Sequence, residues 1–243
     1  MVAAYYGMIA HADANLRRIW DALRERDLLD NTWVVFGADH GDYTGEKGLF
    51  TKSDSLYECL LHVPLILRPP EGVEAPRGMR IDHLVSAVDL FPTILGLAGA
   101  DLPHYTQGHD ILPWIRDGAD RPLRDCVFAQ VGDYHGYLKT TWPGGLPESG
   151  RHPSLLQGAR DLDFSYVRDP DYGDEAYDLR SDPNELNDLL KQSKSGSGSP
   201  DRAEPEGVSR LRRRVAEFEE ECLRLRDQIG VQPGDRGFVE GWE

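Results

Sequence analysis

Cysteine is scarce in this chain of 243 residues. Its scarcity excludes small proteins that are stabilised by a network of disulfides or by a structural zinc ion. The three residues Cys59, Cys126 and Cys222 are odd in number and widely spaced, which fits neither a disulfide framework nor a zinc-binding pattern. Reduced, structural thiols are therefore expected, and they favour a cytoplasmic location. The first residues also lack the basic start and the small-residue cleavage site of a secretory signal peptide.

Long apolar runs are missing as well, and basic residues are fewer than acidic ones. The longest apolar run, 63–67, has the length of a strand, whereas a membrane-spanning helix needs about 20 residues. The 27 basic residues are outnumbered by 42 acidic ones, so the formal net charge is -15. Binding to nucleic acid or to an anionic membrane needs positive potential, so neither is expected. A small anionic substrate is compatible with this net charge, because a metal and a few local cations can reverse the sign of the potential within a site.

Helical and strand-like patterns alternate up to about residue 100. Apolar periodicity predicts helices over 3–28, 53–61 and 88–97, and buried strands over 32–37 and 63–68. Such alternation is typical of an α/β layer, and it predicts a mostly parallel sheet with flanking helices.

The pattern changes after about residue 118. Short strand-like segments, separated by turns, fall at 124–131, 134–140, 164–168 and 175–179, and they predict a small antiparallel sheet. A short helix is expected to follow over 183–191, with a capping residue just before it.

The end of the chain predicts a flexible segment and a long helix. Residues 192–207 are rich in Ser, Gly and Pro, and 208–229 has apolar residues at alternating four- and three-residue steps. Such a seam fits a dimer helix or a helix packed on its own domain, and we favour the second. The sequence therefore predicts an α/β domain over 1–117 and a C-terminal antiparallel α+β subdomain over 118–243.

The densest chemical signal follows the first predicted strand. Asp39 and His40 come directly after it, and ligands bind at the carboxyl ends of strands in open α/β sheets. Their carboxylate oxygen and imidazole nitrogen are metal-ligand types, although such a pair can also be a cap and a surface residue. Lys52 follows thirteen residues after Asp39 and is one of only five lysines. It can bind an anionic oxygen or stabilise a leaving group, unless it is merely a solvated loop cation.

Several segments carry a family resemblance in their order along the chain. The chain contains LLDNTWVVFGADHGD, GDYTGEKGLFTK, LHVPLILR, LVSAVDLFPTILGLAGADLP and YDLRSDPNELNDLL. Together these segments resemble the type I sulfatases of the alkaline phosphatase superfamily, and they extend over nearly the whole chain. The resemblance implies an alkaline-phosphatase-like sulfatase sheet with flanking helices, present in part.

The resemblance also implies a reaction and the residues that perform it. Members of the family hydrolyse sulfate esters and bind one divalent cation, usually calcium, with manganese as a possible alternative. Asp39 and His40 match one pair of the family's metal ligands. Lys52 matches the catalytic lysine that contacts the sulfate and the leaving-group oxygen. The expected substrate is a small sulfated or phosphorylated ester.

The chain departs from the family pattern at two places. Lys47 stands where many members have a histidine, so it either adds a second cation that binds substrate or points to solvent. The nucleophile motif Cys/Ser-x-Pro-x-Arg and the acidic pair of the first strand do not occur in this sequence. We therefore expect no nucleophile in this chain and no activity from it alone. His62 is expected to be structural or to line the rim of the site, where it would bind substrate.

Two other functions stay compatible with the sequence. Phosphodiesterases and phosphonate monoester hydrolases of the same superfamily act on similar tetrahedral oxyanions, so this part of the family pattern separates them poorly from sulfatases. A non-catalytic, truncated half-protein is the second alternative.

We predict that the purified 243-residue chain self-associates or is poorly soluble. A sheet that lacks neighbouring strands exposes an edge and an uncovered apolar face, and residues 208–229 offer a second surface for association. Size-exclusion chromatography with light scattering over a concentration series checks this expectation. A monodisperse monomer that melts cooperatively would contradict it.

Overall fold

The computed structural model describes residues 1–132, 156–192 and 204–229. The strand predicted over 134–140 and most of the segment 192–207 lie outside the described residues. The first half contains helices α1 (Val2–Arg24), α2 (Glu58–Leu61), α3 (Leu90–Ala98) and α4 (Leu112–Arg116), and strands β1 (Val34–Gly37), β2 (Tyr43–Thr44), β3 (Phe50–Thr51) and β4 (Leu65–Arg68). The second half contains strands β5 (Val127–Val131), β6 (Leu156–Arg160), β7 (Phe164–Arg168) and β8 (Glu175–Asp178), and helices α5 (Leu189–Gln192) and α6 (Glu206–Ile229).

The described residues form two compact units that interleave along the sequence. One unit comprises Met1–Ser53, Tyr57–His83 and Asp110–Leu123. The other comprises Asp54–Leu56, Leu84–His109 and the described part of Arg124–Glu243. The domain boundary expected between residues 117 and 118 stays a prediction.

Helix α1 is amphipathic, yet none of its residues is buried. Its apolar side chains recur at three- and four-residue steps and include Tyr5, Ile9, Leu16, Ile19 and Leu23. The helix ends at Arg24 rather than at the predicted residue 28, and Asp27 then adopts a left-handed φ of 53° that a right-handed helix cannot contain. The stripe of α1 is therefore an apolar surface in the described structure. No helix in the described ranges has the length and apolarity that crossing a bilayer requires.

Strands β1 and β4 form the small sheet that supports the site. They pair in antiparallel orientation, with Val35 opposite Leu67 and Gly37 opposite Leu65. The prediction of a mostly parallel sheet is wrong for this pair, and every pairing among the described strands is antiparallel. The connection from β1 to β4 holds a hairpin and the four-residue helix α2, whereas parallel strands are usually joined by a long crossover helix.

Arg68 ties the end of β4 to the chain that precedes β1. Its Nη1 donates a hydrogen bond of 2.7 Å to the carbonyl oxygen of Leu29. Its guanidinium carbon lies 5.2 Å from the centroid of the Trp20 ring, within the range of a cation–π contact. One side chain therefore links β4, the turn before β1 and the last turns of α1.

Asp89 organises the start of α3. Ser86 and Asp89 form a capping box, and the buried carboxylate also accepts hydrogen bonds from both terminal nitrogens of Arg124 and from the backbone N–H of His109. Burial alone would raise the pKa of Asp89, but these donors lower it below the usual value. A side chain at Gly108 would place its Cβ 2.0 Å from the carbonyl oxygen of Val88, so this close approach requires glycine.

The second unit contains a four-stranded antiparallel sheet in the order β5-β6-β7-β8, which confirms a small antiparallel sheet, although β6 was not among the predicted strands. Helix α6 packs on it with Val208, Leu211 and Val215, all at most 1% exposed. The Phe218 ring stacks on Phe128 with centroids 4.4 Å apart. The seam of the last helix therefore packs, in these residues, on the sheet of its own chain. Association of two copies through this helix stays untested.

The helix predicted over 183–191 is wrong for most of its length. The chain forms turns there, and only α5 at its end is helical. Glu185 has a left-handed φ of 55° and is buried, where it accepts a hydrogen bond from the hydroxyl of Ser165. This tertiary contact outweighs the local preference for a helix.

We predict that Asp89→Asn destabilises the protein by about 3–5 kcal/mol at pH 7, because it leaves Arg124 buried without its anion. The pKa of Asp89 is lower in the folded state, so its carboxylate stabilises the fold above the unfolded pKa of about 3.9. That contribution disappears as the pH falls from there through the folded-state pKa. Urea unfolding at pH 7 and at decreasing pH should therefore show a difference between wild type and variant that shrinks in acid.

Asp82→Asn is the matched control. Asp82 pairs with Arg80 at 2.8 Å, but both side chains are more than three-quarters exposed. Exposed pairs of this kind stabilise by about 0–1 kcal/mol. Equal losses for the two variants would contradict the role assigned to Asp89.

Candidate active site

The turn after β1 presents Asp39 and His40, and Gly41 fixes its position. The backbone N–H of Gly41 donates a hydrogen bond of 2.8 Å to the carbonyl oxygen of Leu60 in α2. A Cβ at residue 41 would lie 1.9 Å from the carbonyl oxygen of Cys59. Only glycine allows this approach, so the turn and α2 are held against each other backbone to backbone.

His40 has an orientation that its neighbours define. Its Nδ1 lies 2.8 Å from the carbonyl oxygen of Gly41, and because a carbonyl can only accept, Nδ1 carries the proton. In the neutral ring Nε2 then has a lone pair. Lys52 Nζ lies 3.0 Å from that Nε2 and donates to it.

Asp39 completes the cluster. Its side chain is 90% exposed, and its Oδ2 lies 3.8 Å from His40 Nε2. The backbone N–H groups of Asp39 itself and of His40, and then the positive charge of Lys52, lower the pKa of this carboxyl below the usual value. Asp39 is therefore an anion at neutral pH. The structure brings together Asp39, His40 and Lys52, the three residues that the sequence singled out first.

The hairpin of β2 and β3 carries both Lys47 and Lys52. Its turn is held by Glu46, whose carboxylate accepts from the backbone N–H of Thr44 at 2.5 Å, a contact that lowers the pKa of Glu46. Lys47 does not simply extend into solvent: its Nζ lies 3.9 Å from the centroid of the Tyr57 ring. Lys52 follows β3 directly.

His62 has a partner that the sequence analysis did not identify. Its Nδ1 lies 2.7 Å from Oε1 of Glu58, one helical turn earlier at the start of α2. The missed residues of this region are Tyr57 and Glu58, which hold Lys47 and His62. Their position between Lys52 and β4 indicated that they lie in the site region. No rule based on sequence spacing, however, assigns their partners.

Asp39 and His40 supply two of the ligands that a metal site would need. Two donors 3.8 Å apart can both reach one cation, since metal–ligand distances are about 2.0–2.6 Å. Calcium takes 6–8 oxygen ligands, however, and the described residues contain no group of three or more His, Cys, Asp and Glu that could hold a metal. A cation bound by Asp39 and His40 therefore needs further ligands from outside the described side chains.

Comparison with known proteins gives a consistent family. The sulfatase family model matches residues 1–100. Over 111 residues the chain is 43% identical to arylsulfatase K of Canis lupus familiaris, a match that covers 46% of this chain and 20% of the relative. With arylsulfatase K of Xenopus laevis it shares 29% identity over 194 residues, which cover 78% of this chain and 34% of the relative. The chain thus spans at most about a third of these curated relatives.

Two solved structures have a similar fold. BT4656, in complex with its substrate D-glucosamine-2-N,6-O-disulfate, superposes with a TM-score of 0.68 at 23% identity over 94% of this chain and 41% of its own. Phosphonate monoester hydrolase of Agrobacterium radiobacter superposes with a TM-score of 0.67 at 27% identity, over 92% of this chain and 40% of its own. These likenesses confirm the expected fold class, an alkaline-phosphatase-like α/β structure present in part.

We predict that Gly41→Ala destabilises the chain by about 1–3 kcal/mol, the range for overpacking, because the new methyl group meets the backbone of α2. Gly7→Ala is the control: Gly7 lies in α1 with no atom within 4 Å of its added Cβ, so alanine there should cause no loss. Urea unfolding followed by circular dichroism measures both. Equal stability of the two variants would contradict the close packing of the turn on α2.

Proposed function

Because this chain belongs to the sulfatase family, we propose that it supplies part of an active site that hydrolyses sulfate esters. The observation that carries the proposal is the 3.0 Å contact between Lys52 Nζ and His40 Nε2, with the Asp39 carboxylate beside it. One flexible cation and two metal-ligand side chains at the end of β1 are suited to an ester that carries negative charge.

Asp39 and His40 are the proposed ligands of one divalent cation, a class of cofactor that is general in this family. Calcium is our first choice, because a carboxylate is a hard oxygen ligand. Manganese is the second, because it also accepts oxygen ligands and an imidazole. A divalent cation bound there supplies positive charge for the ester oxygens. The tautomer of His40 is already suited to this role, since its Nε2 lone pair points to the side where Asp39 lies.

Lys52 is the proposed catalytic cation. The Nε2 lone pair of His40 accepts from one partner at a time, so the Lys52 ammonium needs another acceptor whenever Nε2 ligates a cation. An oxygen of the sulfate group or the leaving-group oxygen is such an acceptor. Lys52 would then stabilise the negative charge that develops when the ester bond breaks. His62, oriented by Glu58, is a proposed residue of the substrate rim.

A second candidate function has its own supporting observation. The phosphonate monoester hydrolase of Agrobacterium radiobacter is 27% identical over 92% of this chain. Phosphonate and phosphate esters present a similar set of oxygens to Lys52, so the described cluster would serve them as well. The sulfatase proposal ranks first because the matching family model and the curated relatives are sulfatases.

A direct assay tests whether this chain alone turns over either class of ester. The purified chain would be given p-nitrophenyl sulfate and bis-p-nitrophenyl phosphate, each with calcium and with manganese. We expect no turnover, because the sequence contains no Cys/Ser-x-Pro-x-Arg motif to supply a nucleophile. Metal-dependent release of p-nitrophenol would contradict that expectation, and the preferred ester would identify the reaction. Binding of D-glucosamine-2-N,6-O-disulfate, the substrate of the similar BT4656, tests a small sulfated sugar as the substrate class.

Two substitutions test the assigned roles. Asp39→Ala should abolish binding of calcium or manganese, measured by isothermal titration calorimetry, because it removes the anionic ligand. Lys52→Ala should leave metal binding intact and, in a complete active site, lower turnover by about 10²–10³-fold, as for loss of an oxyanion donor. Lys191→Ala is the control, since Lys191 pairs with Glu175 on the other unit's sheet. Full turnover by Lys52→Ala would mean that the catalytic role of Lys52 is wrong.

A further inference from the structure

The first turns of α1 are apolar on every side. The segment from Val2 to Ala10 contains no charged side chain and completes about two and a half helical turns. Tyr6 and Met8 are two positions apart, and since each residue turns the helix by about 100°, they point to opposite sides. Helices that are apolar all round are typical of the interior of a protein. The composition of this segment therefore indicates a helix with neighbours on all sides.

These turns are nevertheless exposed in the described structure. None of the residues of α1 is buried, and Tyr6, Met8 and Ile9 are 67%, 60% and 49% exposed. The half-buried residues of the helix lie mainly at its other end, from Trp20 to Leu23. Helices in proteins owe most of their stability to the packing of an apolar face. Within the described residues, the first turns of α1 thus lack the packing that their composition requires.

The sheet of the same unit exposes apolar side chains on both faces. Val35 in β1 is 36% exposed and Ile66 in β4 is 59% exposed. Ile66 lies opposite Phe36 in the register and shares a face with it, whereas Val35 points to the other face. The runs 34–36 and 65–67 are continuously apolar, a pattern typical of strands that are covered on both faces. The strands therefore lack apolar neighbours in the same way as α1.

More than half of each similar fold has no counterpart in this chain. BT4656 and the phosphonate monoester hydrolase of Agrobacterium radiobacter superpose on 94% and 92% of the chain, which covers only 41% and 40% of them. In an α/β layer structure, helices and neighbouring strands cover the apolar surfaces of a sheet. The apolar segment of α1 is too short to span a bilayer, which needs about 20 residues. A protein layer is therefore the occupant that fits these surfaces.

We propose that the first turns of α1 dock into the part of a sulfatase α/β domain that has no counterpart in this chain, and that the same part covers the sheet of β1 and β4. The occupant surrounds α1 from Val2 to Ala10 rather than lying along one side of it. Docking uses apolar contacts and needs no charge at Lys52. The inference rests on membership of the sulfatase family and not on the catalytic role proposed for Lys52.

Co-expression tests the proposal. The whole chain, with an affinity tag, would be expressed together with the part of the Agrobacterium radiobacter hydrolase that the superposition leaves unmatched. We expect the two polypeptides to purify as one complex, whose dissociation constant is then measured by isothermal titration calorimetry. Tyr6→Lys and Met8→Lys should each weaken the complex by at least about tenfold, because each buries an unpaired charge.

Two control variants accompany this measurement. Leu186→Lys makes the same kind of change at an apolar residue that is 63% exposed in the other unit, and it should leave the affinity unchanged. Lys52→Ala should also bind like the wild type, which separates docking from the proposed catalysis. Urea unfolding of the chain alone is the second measurement. Tyr6→Lys and Met8→Lys should be as stable there as the wild type, because neither residue is buried.

The opposite results would overturn the inference. If only one of Tyr6→Lys and Met8→Lys weakens the complex, the occupant lies along one side of α1 and does not surround it. If the wild-type chain does not bind the added polypeptide, or pairs through α1 with a second copy that the polypeptide does not displace, the choice of occupant is wrong. A lower stability of either variant in the chain alone would mean that α1 packs on its own chain.

Discussion

The close approach of Gly41 to α2 is the constraint on which the candidate site depends. A hydrogen bond of 2.8 Å to Leu60 and the absence of a side chain at residue 41 hold the turn after β1 against this short helix. The same turn presents Asp39 and His40. Since α2 follows Tyr57 directly, the contact also relates the metal-type ligands to the residues that hold Lys47 and His62.

Hydrogen bonding orients the cluster that we propose to bind a cation and an anion. The Gly41 carbonyl selects the tautomer of His40, and two backbone N–H groups keep Asp39 ionised. Lys52 takes the free lone pair of His40 in the described structure. A chain with a formal net charge of -15 can thus present local positive charge, as the proposed binding of an anionic ester requires, because two of its five lysines, Lys47 and Lys52, lie together at one hairpin.

Three arginines of helix α6, in the second unit, form ion pairs with acidic side chains of that unit. On α6, Arg210 pairs with Asp161, Arg212 with Glu204 and Arg214 with Glu217. Such partly exposed pairs contribute little to stability individually. The helix is held instead by the apolar cluster of the sheet and by the ring stack of Phe128 and Phe218. These three paired arginines therefore do not by themselves indicate an anion-binding surface.

Local patterns in the sequence determined most of the elements and the identity of the central cluster. The strand over 164–168 matches β7 at both ends, and the last helix differs from prediction by two residues at its start. Apolar periodicity depends only on near neighbours along the chain, so it was sufficient for these elements. The motif after β1 likewise named Asp39, His40 and Lys52, because ligand chemistry is a property of residue type and of position at a strand end.

Only the tertiary structure decided how the elements pair and which side chains meet. The direction of β1 against β4, the turns in place of a helix around Glu185, and the placement of Lys47 over Tyr57 each depend on residues distant in sequence. The buried Glu185 carboxylate accepts a hydrogen bond from Ser165 and lies 3.9 Å from Nη1 of Arg160, and these contacts offset the cost of burying it and fix the turn. The local helix preference that they override is small for each residue. Periodicity and spacing contain no information on such partners, because contacts between distant residues form only when the whole chain packs.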